Sequence, residues 1–529
     1  MDGVRKSLAA TKPILAHYRR LGGTLDPATE CLDLIAGRGP ARIQKLLGRL
    51  EPAWADHTVA SVYALLMPRA RRKTLGAYFT PPHLVEHLLL RMRMFGLDPS
   101  QHRIRDPAAG GSAFLVPLAR EMISSWQSES LQPSDIVSRL RSRLVGREID
   151  SGLAAVSNAL VRRMLVSEFA IPHGLVSDLE LVEVANSLLV NNPEESDHEV
   201  GNPPYLRLDA AGHRQWKVRF KDIVSGRLNL YAIFSRLSLD EVPRGGLVGH
   251  ILPPSFLGGP EFSTFRARIL QLAEVLALDL VEKRRGVFLG ATQDACLLIL
   301  RKRPSPIEEP QAANALSGVL HEFGDFAPSG EATLTPDGSP WSLPEEYPTR
   351  STATLADYGY RCTVGYLVSN RQWDRLHKTA AEGTLPLVWA KCITSEGLFD
   401  FDRGRNSRQA KGFGFVRVPR AGATYAIRVQ CVLVQRTSAR SQSRRLNAAA
   451  VPAEFVERYG GIVGENHVII LVPERADAVA PSTVADVLNS PQANSALARI
   501  CGSASISVRL LERLPLPSPV NPSLHRQLT

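Results

Sequence analysis

Several features that would assign this chain of 529 residues to a common class of protein are missing from it. The six cysteines lie far apart and form no C-x-x-C pair, which argues against a disulfide framework and a zinc knuckle. The most apolar stretch, residues 269–281, is interrupted by Glu274 and Asp279, so it cannot span a bilayer. The first twenty residues contain no apolar segment followed by a cleavage site. These absences predict a cytoplasmic protein with reduced thiols and no membrane association.

Acidic residues are outnumbered by basic ones. The chain has 63 Lys and Arg against 52 Asp and Glu, which gives a formal net charge of +11. A basic balance of this size favours a polyanionic partner, and by itself it fits DNA, RNA and acidic lipid equally well. Hydrophobic residues make up 44% and charged residues 22%, as in an ordinary globular protein, and the length predicts about three domains.

The order of predicted elements divides the chain into four parts. Residues 1–73 have the spacing of a helical extension, and residues 74–302 alternate between strand-like and helix-like segments. That alternation predicts an α/β fold with a mostly parallel, doubly wound sheet. Residues 303–355 are rich in Pro, Ser and Gly, which predicts a linker or an irregular crossing. Residues 356–529 contain β-rich patches and helical segments, so a second, α+β domain is expected there.

The most specific motif is the tetrapeptide Asn202, Pro203, Pro204 and Tyr205. An exocyclic ring amine, such as N6 of adenine, is a poor nucleophile because its lone pair is delocalised into the ring. The side-chain oxygen of Asn202 and the backbone carbonyl of Pro203 can accept its two N–H bonds and so localise that lone pair. The prolines stiffen the loop and preorganise both acceptors. Tyr205 is expected to stack on a target base that has left the helix. The alternative is a proline turn after a strand.

Two weaker motifs precede the tetrapeptide. Asp106 opens a loop that contains Gly110 and Gly111, at the end of one predicted strand and the start of a helix. Such glycines allow a ligand to approach the backbone, and the helix start offers unpaired N–H groups. Glu148 ends the next predicted strand, where a carboxylate can accept both hydroxyls of a ribose. Alone, the glycine loop is equally compatible with an ordinary turn, and an acid such as Glu148 is more often a surface residue at a strand end.

The order of the motifs is more specific than any one of them. GAYFTP at 76–81 is followed by DPAAGG, GREID and GNPPY. This order resembles the gamma-class adenine-N6 DNA methyltransferases of bacterial type II restriction–modification systems, which have the class I S-adenosylmethionine-dependent fold. The resemblance implies transfer of a methyl group from S-adenosylmethionine to adenine N6 in duplex DNA, by base flipping and direct in-line attack. It also implies a C-terminal target-recognition domain in a monomer or dimer, and protection of host DNA from a separate, cognate endonuclease.

The resemblance further implies roles for single residues. Tyr78 and Thr80 correspond to the methionine end of the cofactor site, Glu148 to the ribose and Ile149 to the adenine ring. Phe288 corresponds to the aromatic residue that packs against the flipped base. The complete cofactor set implied in this way is Tyr78, Thr80, Asp106, Ala108, Gly110, Glu148, Ile149 and Asn186.

Two positions depart from the family pattern. Ser112 stands where the loop usually has its last glycine, which predicts a slightly different turn. Asn186 stands where an acidic residue usually bonds the amine of the cofactor's adenine. An amide oxygen can accept the same bond without charge assistance, so weaker cofactor binding is expected.

A cluster of arginines without an acid lies in the C-terminal part of the chain. Arg436, Arg440, Arg444 and Arg445 are candidates for phosphate clamps or for guanine recognition, and the alternative is a disordered basic loop. A cytosine-N4 enzyme, an RNA or protein-glutamine methyltransferase, and a catalytically silent DNA-binding subunit stay open as alternatives. A cytosine-C5 enzyme is disfavoured, because none of the six cysteines follows a proline. The chemistry requires no metal.

Overall fold

The chain consists of two compact units. A computed structural model describes residues 2–21, 26–68, 70–72, 79–190, 196–224, 226–227, 229–282, 294–321, 325–344, 353–418, 423–437, 444–500 and 505–519. Unit 1 contains Met1–Phe256 and Pro260–Trp341, and unit 2 contains Leu257–Gly259 and Ser342–Thr529. Among the residues described, no helix is both long and apolar enough to cross a membrane.

Helices and strands alternate along most of the chain up to Trp341. The helices are α1 (Asp2–Leu21), α2 (Pro27–Ile35), α3 (Ala41–Leu47), α4 (Pro52–Leu66), α5 (Pro82–Met94), α6 (Leu115–Ser128), α7 (Pro133–Arg143), α8 (Ser151–Phe169), α9 (His173–Val176), α10 (Ala210–Lys217), α11 (Leu230–Glu241), α12 (Ser255–Gly258) and α13 (Ser263–Leu272). The strands are β1 (Ile104–Asp106), β2 (Leu144–Glu148), β3 (Val182–Val184), β4 (His198–Gly201), β5 (Leu247–Leu252), β6 (Ala273–Val281), β7 (Cys296–Lys302), β8 (Ala313–Leu320) and β9 (Phe326–Leu334).

These strands form one sheet in the order β3-β2-β1-β4-β5-β7-β6-β8-β9. The first five strands in that order are all parallel, and β7 is antiparallel to both of its neighbours. The prediction of a mostly parallel, doubly wound sheet is therefore confirmed. The strand order reverses between β1 and β4, and in open α/β sheets ligands bind at such a switch point, beyond the carboxyl ends of the strands. Asp106, Glu148 and Asn202 all stand at or directly after those ends.

The N-terminal helices pack into the same core as the sheet. Ile14 of α1 and Tyr63 of α4 belong to one buried cluster with Leu118 of α6 and Leu160 of α8. Every residue of α4 from 55 to 64 is buried. The helical extension predicted for residues 1–73 is thus built into unit 1 as far as the structure describes it.

The linker predicted for residues 303–355 is wrong in its first half. Strand β8 pairs in parallel with β6, and β9 pairs antiparallel with β8, so both extend the main sheet. The prolines and glycines that suggested a linker are tolerated there because β9 is an edge strand, where Pro328 costs no ladder hydrogen bond. A register shift after Ser317 accommodates Gly318 opposite Pro328. The boundary between the units accordingly lies after Trp341 and not at residue 302.

Unit 2 is α+β, as predicted for residues 356–529. Its strands are β10 (Tyr360–Val364), β11 (Leu376–His377), β12 (Thr384–Val388), β13 (Phe415–Arg417), β14 (Ala426–Ile427), β15 (Val432–Gln435), β16 (Ala448–Ala450), β17 (Ile462–Gly464) and β18 (Val468–Pro473). Its helices are α14 (Phe401–Arg405), α15 (Ala453–Tyr459), α16 (Pro481–Asn489), α17 (Pro491–Ile500) and α18 (Val508–Glu512). Short 3-10 turns of the chain lie at Lys221–Ile223, Pro260–Phe262, Ser369–Arg371, Trp373–Arg375 and Ala390–Cys392.

The strands of unit 2 form two sheets. The order in the four-stranded sheet is β10-β18-β15-β16, and in the five-stranded sheet it is β11-β13-β12-β17-β14. The helical region of residues 481–500 is divided into two helices, α16 and α17. Pro491 explains the division, since proline disfavours the helical conformation in the residue before it and favours the first position of a helix.

Candidate functional site

The loop after β1 is held from inside by Asp106. Its carboxylate accepts a hydrogen bond from the backbone N–H of Ala108 at 3.0 Å. Burial raises the pKa of Asp106 to about 8, and the nearby carboxylates of Glu199 and Glu148 contribute to that rise. Gly110 has a φ of +53°, in the left-handed region that favours glycine. The loop is therefore a tight backbone turn around a buried acid.

The departure at Ser112 is accommodated by backbone geometry. Ser112 has a φ of +57°, the conformation that a glycine would adopt at low cost, and its hydroxyl lies 3.3 Å from the carbonyl oxygen of Ser157 in α8. Gly111 is needed for a different reason. A Cβ there would collide with the side chains of Ala60 and Phe79. Gly111 therefore allows the loop to pack closely against α4, and the positive φ angles of Gly110 and Ser112 produce the turn.

Glu148 links the ends of β1 and β2. Its two carboxylate oxygens accept N–H bonds from Asp150 at 2.9 Å and from Gly110 at 3.1 Å. Burial raises the pKa of Glu148 to about 7 in spite of these bonds. Each carboxylate oxygen has a second lone pair, so it can accept a further donor from a ligand. The adjacent Ile149 exposes 54% of its surface and faces the cavity, so it can offer an apolar wall to a planar ring.

Asn186 lies at the carboxyl end of β3. Its side-chain oxygen accepts the N–H of Leu188 at 3.1 Å, which stabilises the turn. The neighbouring Ser187 hydroxyl donates to the carbonyl oxygen of Pro107 at 2.6 Å and ties this turn to the loop after β1. Asn186 is therefore positioned beside the site, with part of its acceptor capacity already used by its own turn.

The tetrapeptide predicted to be catalytic follows β4 directly. The Asn202 amide nitrogen donates to the Thr80 hydroxyl at 3.0 Å. This bond fixes the orientation of the amide, so the amide oxygen points away from Thr80. The Tyr205 hydroxyl lies 2.6 Å from that oxygen and 3.0 Å from the carbonyl oxygen of Ile251. Burial raises the pKa of Tyr205 well above its usual value, so its hydroxyl stays a donor. Its ring meets Tyr231 edge to face at 6.3 Å.

A cavity of about 430 Å3 lies over these strand ends, within the range of small-molecule sites. Nine residues predicted from the sequence line it: Thr80, Asp106, Ala108, Gly110, Glu148, Ile149, Asn186, Asn202 and Pro204. Pro203 and Tyr205 adjoin the cavity in the chain and do not line it. Tyr78 and Phe288 lie outside the described residues. Among the described residues, no group of histidines, cysteines and acids could hold a metal ion.

Sequence reasoning missed contributions from three other helices, α4, α10 and α11. Gln215 and Trp216 of α10 line the cavity together with Phe234 of α11. In the N-terminal helices, the Tyr63 hydroxyl donates to the Asp150 carboxylate. No local pattern distinguishes these side chains from ordinary amphipathic helix positions, so the sequence carried little signal for them.

The arginines of the cluster in unit 2 differ in their exposure and in their hydrogen-bond partners. Arg436 donates to the carbonyl oxygen of Asn466 at 3.0 Å, and Arg444 donates to the carbonyl oxygen of Ser395. Arg445 is only 7% exposed, so it offers little surface to a polyanion. Arg440 lies outside the described residues. Of the four, Arg444 remains the better candidate for contact with a partner.

Known proteins similar to this chain are methyltransferases of restriction–modification systems. Residues 182–288, which include the tetrapeptide, match the family model described as Eco57I restriction-modification methylase. The type II methyltransferase M.BsuBI of Bacillus subtilis is 22% identical over 419 residues, 73% of this chain and 76% of that protein. The type II methyltransferase M.PstI of Providencia stuartii is 29% identical over 225 residues, 40% of this chain and 44% of that protein.

Two solved structures have a similar fold over most of the chain. The cryo-EM structure of the DrdV–DNA complex has a TM-score of 0.54 at 11% identity and covers 92% of this chain, which spans 60% of that one. The type IIL restriction–modification enzyme MmeI in complex with DNA has a TM-score of 0.54 at 13% identity, over 89% of this chain and 72% of that one. The resemblance to restriction–modification methyltransferases is confirmed, and the fold is shared with these two restriction–modification enzymes over most of the chain.

Proposed function

We propose that the protein transfers a methyl group from S-adenosylmethionine to N6 of adenine in duplex DNA. The observation that carries the proposal is the placement of Asn202. Its amide is oriented by Thr80, and it lines the cavity at the switch point of the sheet. An oriented carboxamide oxygen is the group needed to accept an N–H bond from an exocyclic amine and to localise its lone pair.

The residues around the cavity fit the cofactor. The carboxylate of Glu148 has lone pairs for the two ribose hydroxyls, and Ile149 offers an apolar surface to the adenine ring. Gly110 lets the loop backbone line the cavity closely, Asp106 would shape that loop, and Thr80 would face the methionine end. When bound, S-adenosylmethionine supplies a methyl group that is already activated on a sulfonium.

The protein's own groups would then act on the target amine. The Asn202 side-chain oxygen and the Pro203 carbonyl oxygen would each accept one N–H bond, and Pro203 and Pro204 would keep those acceptors in place. In the present structure the Tyr205 hydroxyl lies against the same Asn202 oxygen. We expect the incoming amine to share or replace this contact, which leaves the Tyr205 ring to stack on the flipped base. Phe288 remains a proposed second stacking residue.

DNA is the proposed substrate because of what the relatives are. The names of the similar proteins describe type II methyltransferases, and two structural neighbours are described as complexes with DNA. Methylation of its own recognition site would protect host DNA from a separate endonuclease. An exocyclic amine occurs equally at N4 of cytosine, and Asn202 could accept bonds from that amine too.

The test is transfer of a labelled methyl group from S-adenosylmethionine to unmethylated duplex DNA, followed by analysis of the nucleosides. We expect N6-methyladenine. N4-methylcytosine would contradict the assignment of adenine while keeping the fold and the chemistry. Absence of label from DNA, with the cofactor still bound, would contradict the DNA proposal in favour of an RNA or protein-glutamine substrate, or of a silent DNA-binding subunit.

A further inference from the structure

The longest stretch of unit 2 without a negative charge runs through residues 403–453. It contains no Asp or Glu, while ten arginines and one lysine occur in it. Four of these arginines form the arginine cluster at residues 436–445. The remainder lies nearer to β13 and meets a second basic segment, residues 371–378, at the five-stranded sheet.

Aromatic rings and cations alternate where these segments meet. The rings of Tyr366 and Tyr425 stack at 4.0 Å with an angle of 8° between them. Arg375 donates to the Tyr425 hydroxyl at 3.0 Å, and its guanidinium lies 6.0 Å from the centre of that ring. Tyr366 is 49% exposed. One half of the patch is therefore a stacked aromatic pair with a cation at its side.

The other half of the patch is centred on Trp373, which lies in the same 3-10 turn as Arg375. Trp373 is 38% exposed and packs against Phe413 at 5.5 Å. Lys411 lies 5.4 Å from the Trp373 ring, and Lys378 lies 5.8 Å from the Phe413 ring. We call the combined patch the aromatic–cation face, and its members are Tyr366, Trp373, Arg375, Lys378, Lys411 and Tyr425.

The cations of this face differ from the ion-paired cations of unit 2, such as Arg361, Arg405 and Arg475. Among the residues that the structure describes, no carboxylate lies within ion-pair distance of Arg375, Lys378 or Lys411, although Asp374 is exposed in the same turn. In contrast, Arg361 pairs with Glu474, the residue after β18, at 3.4 Å. Rings hold the cations of the face without neutralising them, so their full charge is available to a partner.

Lys411 also has an unusual backbone. Its φ of +54° lies in the left-handed region, where a non-glycine residue is rare. Such conformations persist where the surroundings impose them, and they concentrate at binding sites. Here the backbone N–H of Lys411 donates to the Ser407 carbonyl oxygen at 2.9 Å, which holds this exposed lysine beside Trp373.

We propose that the aromatic–cation face is a surface on which unit 2 contacts duplex DNA. Uncompensated cations suit phosphates, and exposed rings suit sugars and base faces. This inference rests on the proposed function, because it takes DNA as the substrate, and it adds a contact surface that lies outside the arginine cluster.

The test compares two double variants of the full-length protein. K378A/K411A removes two cations of the face, and R361A/R475A removes two exposed, ion-paired cations elsewhere in unit 2. Affinity for an unmethylated duplex of about 30 base pairs is measured by fluorescence anisotropy from 50 to 300 mM salt. We expect K378A/K411A to lower the slope of log affinity against log salt by about 1–2, and R361A/R475A to leave it unchanged.

A further variant tests the rings. We expect Y366A to weaken binding by about fivefold or more with little change in the salt slope, because a stacking ring carries no charge. Melting curves and cofactor binding establish that each variant is folded.

The outcomes separate this inference from the proposed function. If the wild type methylates DNA while folded K378A/K411A and Y366A bind duplex as tightly as R361A/R475A, the face is not the contact surface and the proposed function stands. A wild type that neither binds nor methylates duplex overturns both. Loss of RNA binding without loss of duplex binding would likewise overturn the inference, in favour of an RNA partner.

Discussion

The carboxylates of the cavity in unit 1 and the cations of the aromatic–cation face in unit 2 are held by different kinds of contact. Asp106 and Glu148 are buried and accept bonds from backbone N–H groups of the loops that they join. Lys378 and Lys411 are exposed and lie over aromatic rings. Buried, backbone-bonded groups keep one geometry, which suits chemistry on a bound cofactor. Exposed cations over rings keep their charge, and their contacts weaken with salt.

The largest difference should come from the loop that we propose to be catalytic. We expect Asn202→Ala to lower the rate of methyl transfer by about 10²–10³-fold or more, since one preorganised acceptor at the reacting amine is lost. Binding of DNA and of S-adenosylmethionine should change little. Single-turnover methylation and separate binding assays measure these quantities.

A matched control is available on β8. Asn314 is an exposed asparagine bonded to Glu331, and Asn314→Ala should leave methyl transfer unchanged. Turnover retained by Asn202→Ala would remove the role assigned to that side chain.

The next effect concerns Glu148. We expect Glu148→Ala to weaken binding of S-adenosylmethionine by about 10–100-fold, because bonds from the ribose hydroxyls to a charged acceptor are lost. With its pKa raised to about 7, Glu148 is charged above that pH and protonated below it. Cofactor affinity of the wild type should therefore fall as pH drops through 7, by up to about tenfold per pH unit.

The Glu148→Ala variant separates the contribution of Glu148 to this pH dependence from that of Asp106. The Glu148 carboxylate also contributes to the raised pKa of Asp106, so in Glu148→Ala the fall in affinity near pH 7 should disappear and the remaining pH dependence from Asp106 should lie below 8. Titration calorimetry from pH 6 to 9 measures both. An unchanged profile in the variant would show that Glu148 is not the titrating acceptor.

The sequence predicted the cavity better than it predicted the surroundings of the cavity. The alternation of strands and helices predicted for residues 74–302 is observed, and β1, β2 and β4 end at Asp106, Glu148 and Gly201, inside the three motifs. These segments are short and local, and each motif stands at a strand end, so neighbouring residues specify both the element and the site.

The parts that the sequence missed depend on distant partners. Strand β8 is defined by its pairing with β6, about forty residues earlier in the chain, and the prolines before and after it suggested a linker. The aromatic–cation face brings together three segments around Tyr366, Phe413 and Tyr425. Neither kind of contact has a local pattern, because what fixes it is the fold as a whole.

The N-terminal helices offer a smaller perturbation of unit 1. The Tyr63 hydroxyl bonds the Asp150 carboxylate, and the backbone N–H of Asp150 donates to Glu148. We expect Tyr63→Phe to reduce the free energy of unfolding by about 1–3 kcal/mol and to weaken cofactor binding severalfold. Denaturant unfolding and calorimetry measure the two effects.

Tyr358→Phe provides the comparison in unit 2. The Tyr358 hydroxyl donates to the carbonyl oxygen of Pro517 at 2.6 Å, so this variant should lose similar stability without any change in cofactor affinity. Equal cofactor affinities in the two variants would mean that Tyr63 only stabilises unit 1 and does not position Glu148.

The smallest effect should come from the arginine cluster, where exposure and burial are found in adjacent residues. Arg444 is partly exposed and bonds only a backbone oxygen, so Arg444→Ala should lower the salt slope of DNA binding by at most about 1. Arg445 is buried, and the Asn494 side chain accepts its backbone N–H at 2.8 Å. Arg445→Ala should therefore lower the melting temperature and leave the salt slope nearly unchanged. A larger change of slope in Arg445→Ala than in Arg444→Ala would mean that the buried guanidinium reaches a phosphate in the complex. Burial in the free protein would then be a poor guide to contact with DNA.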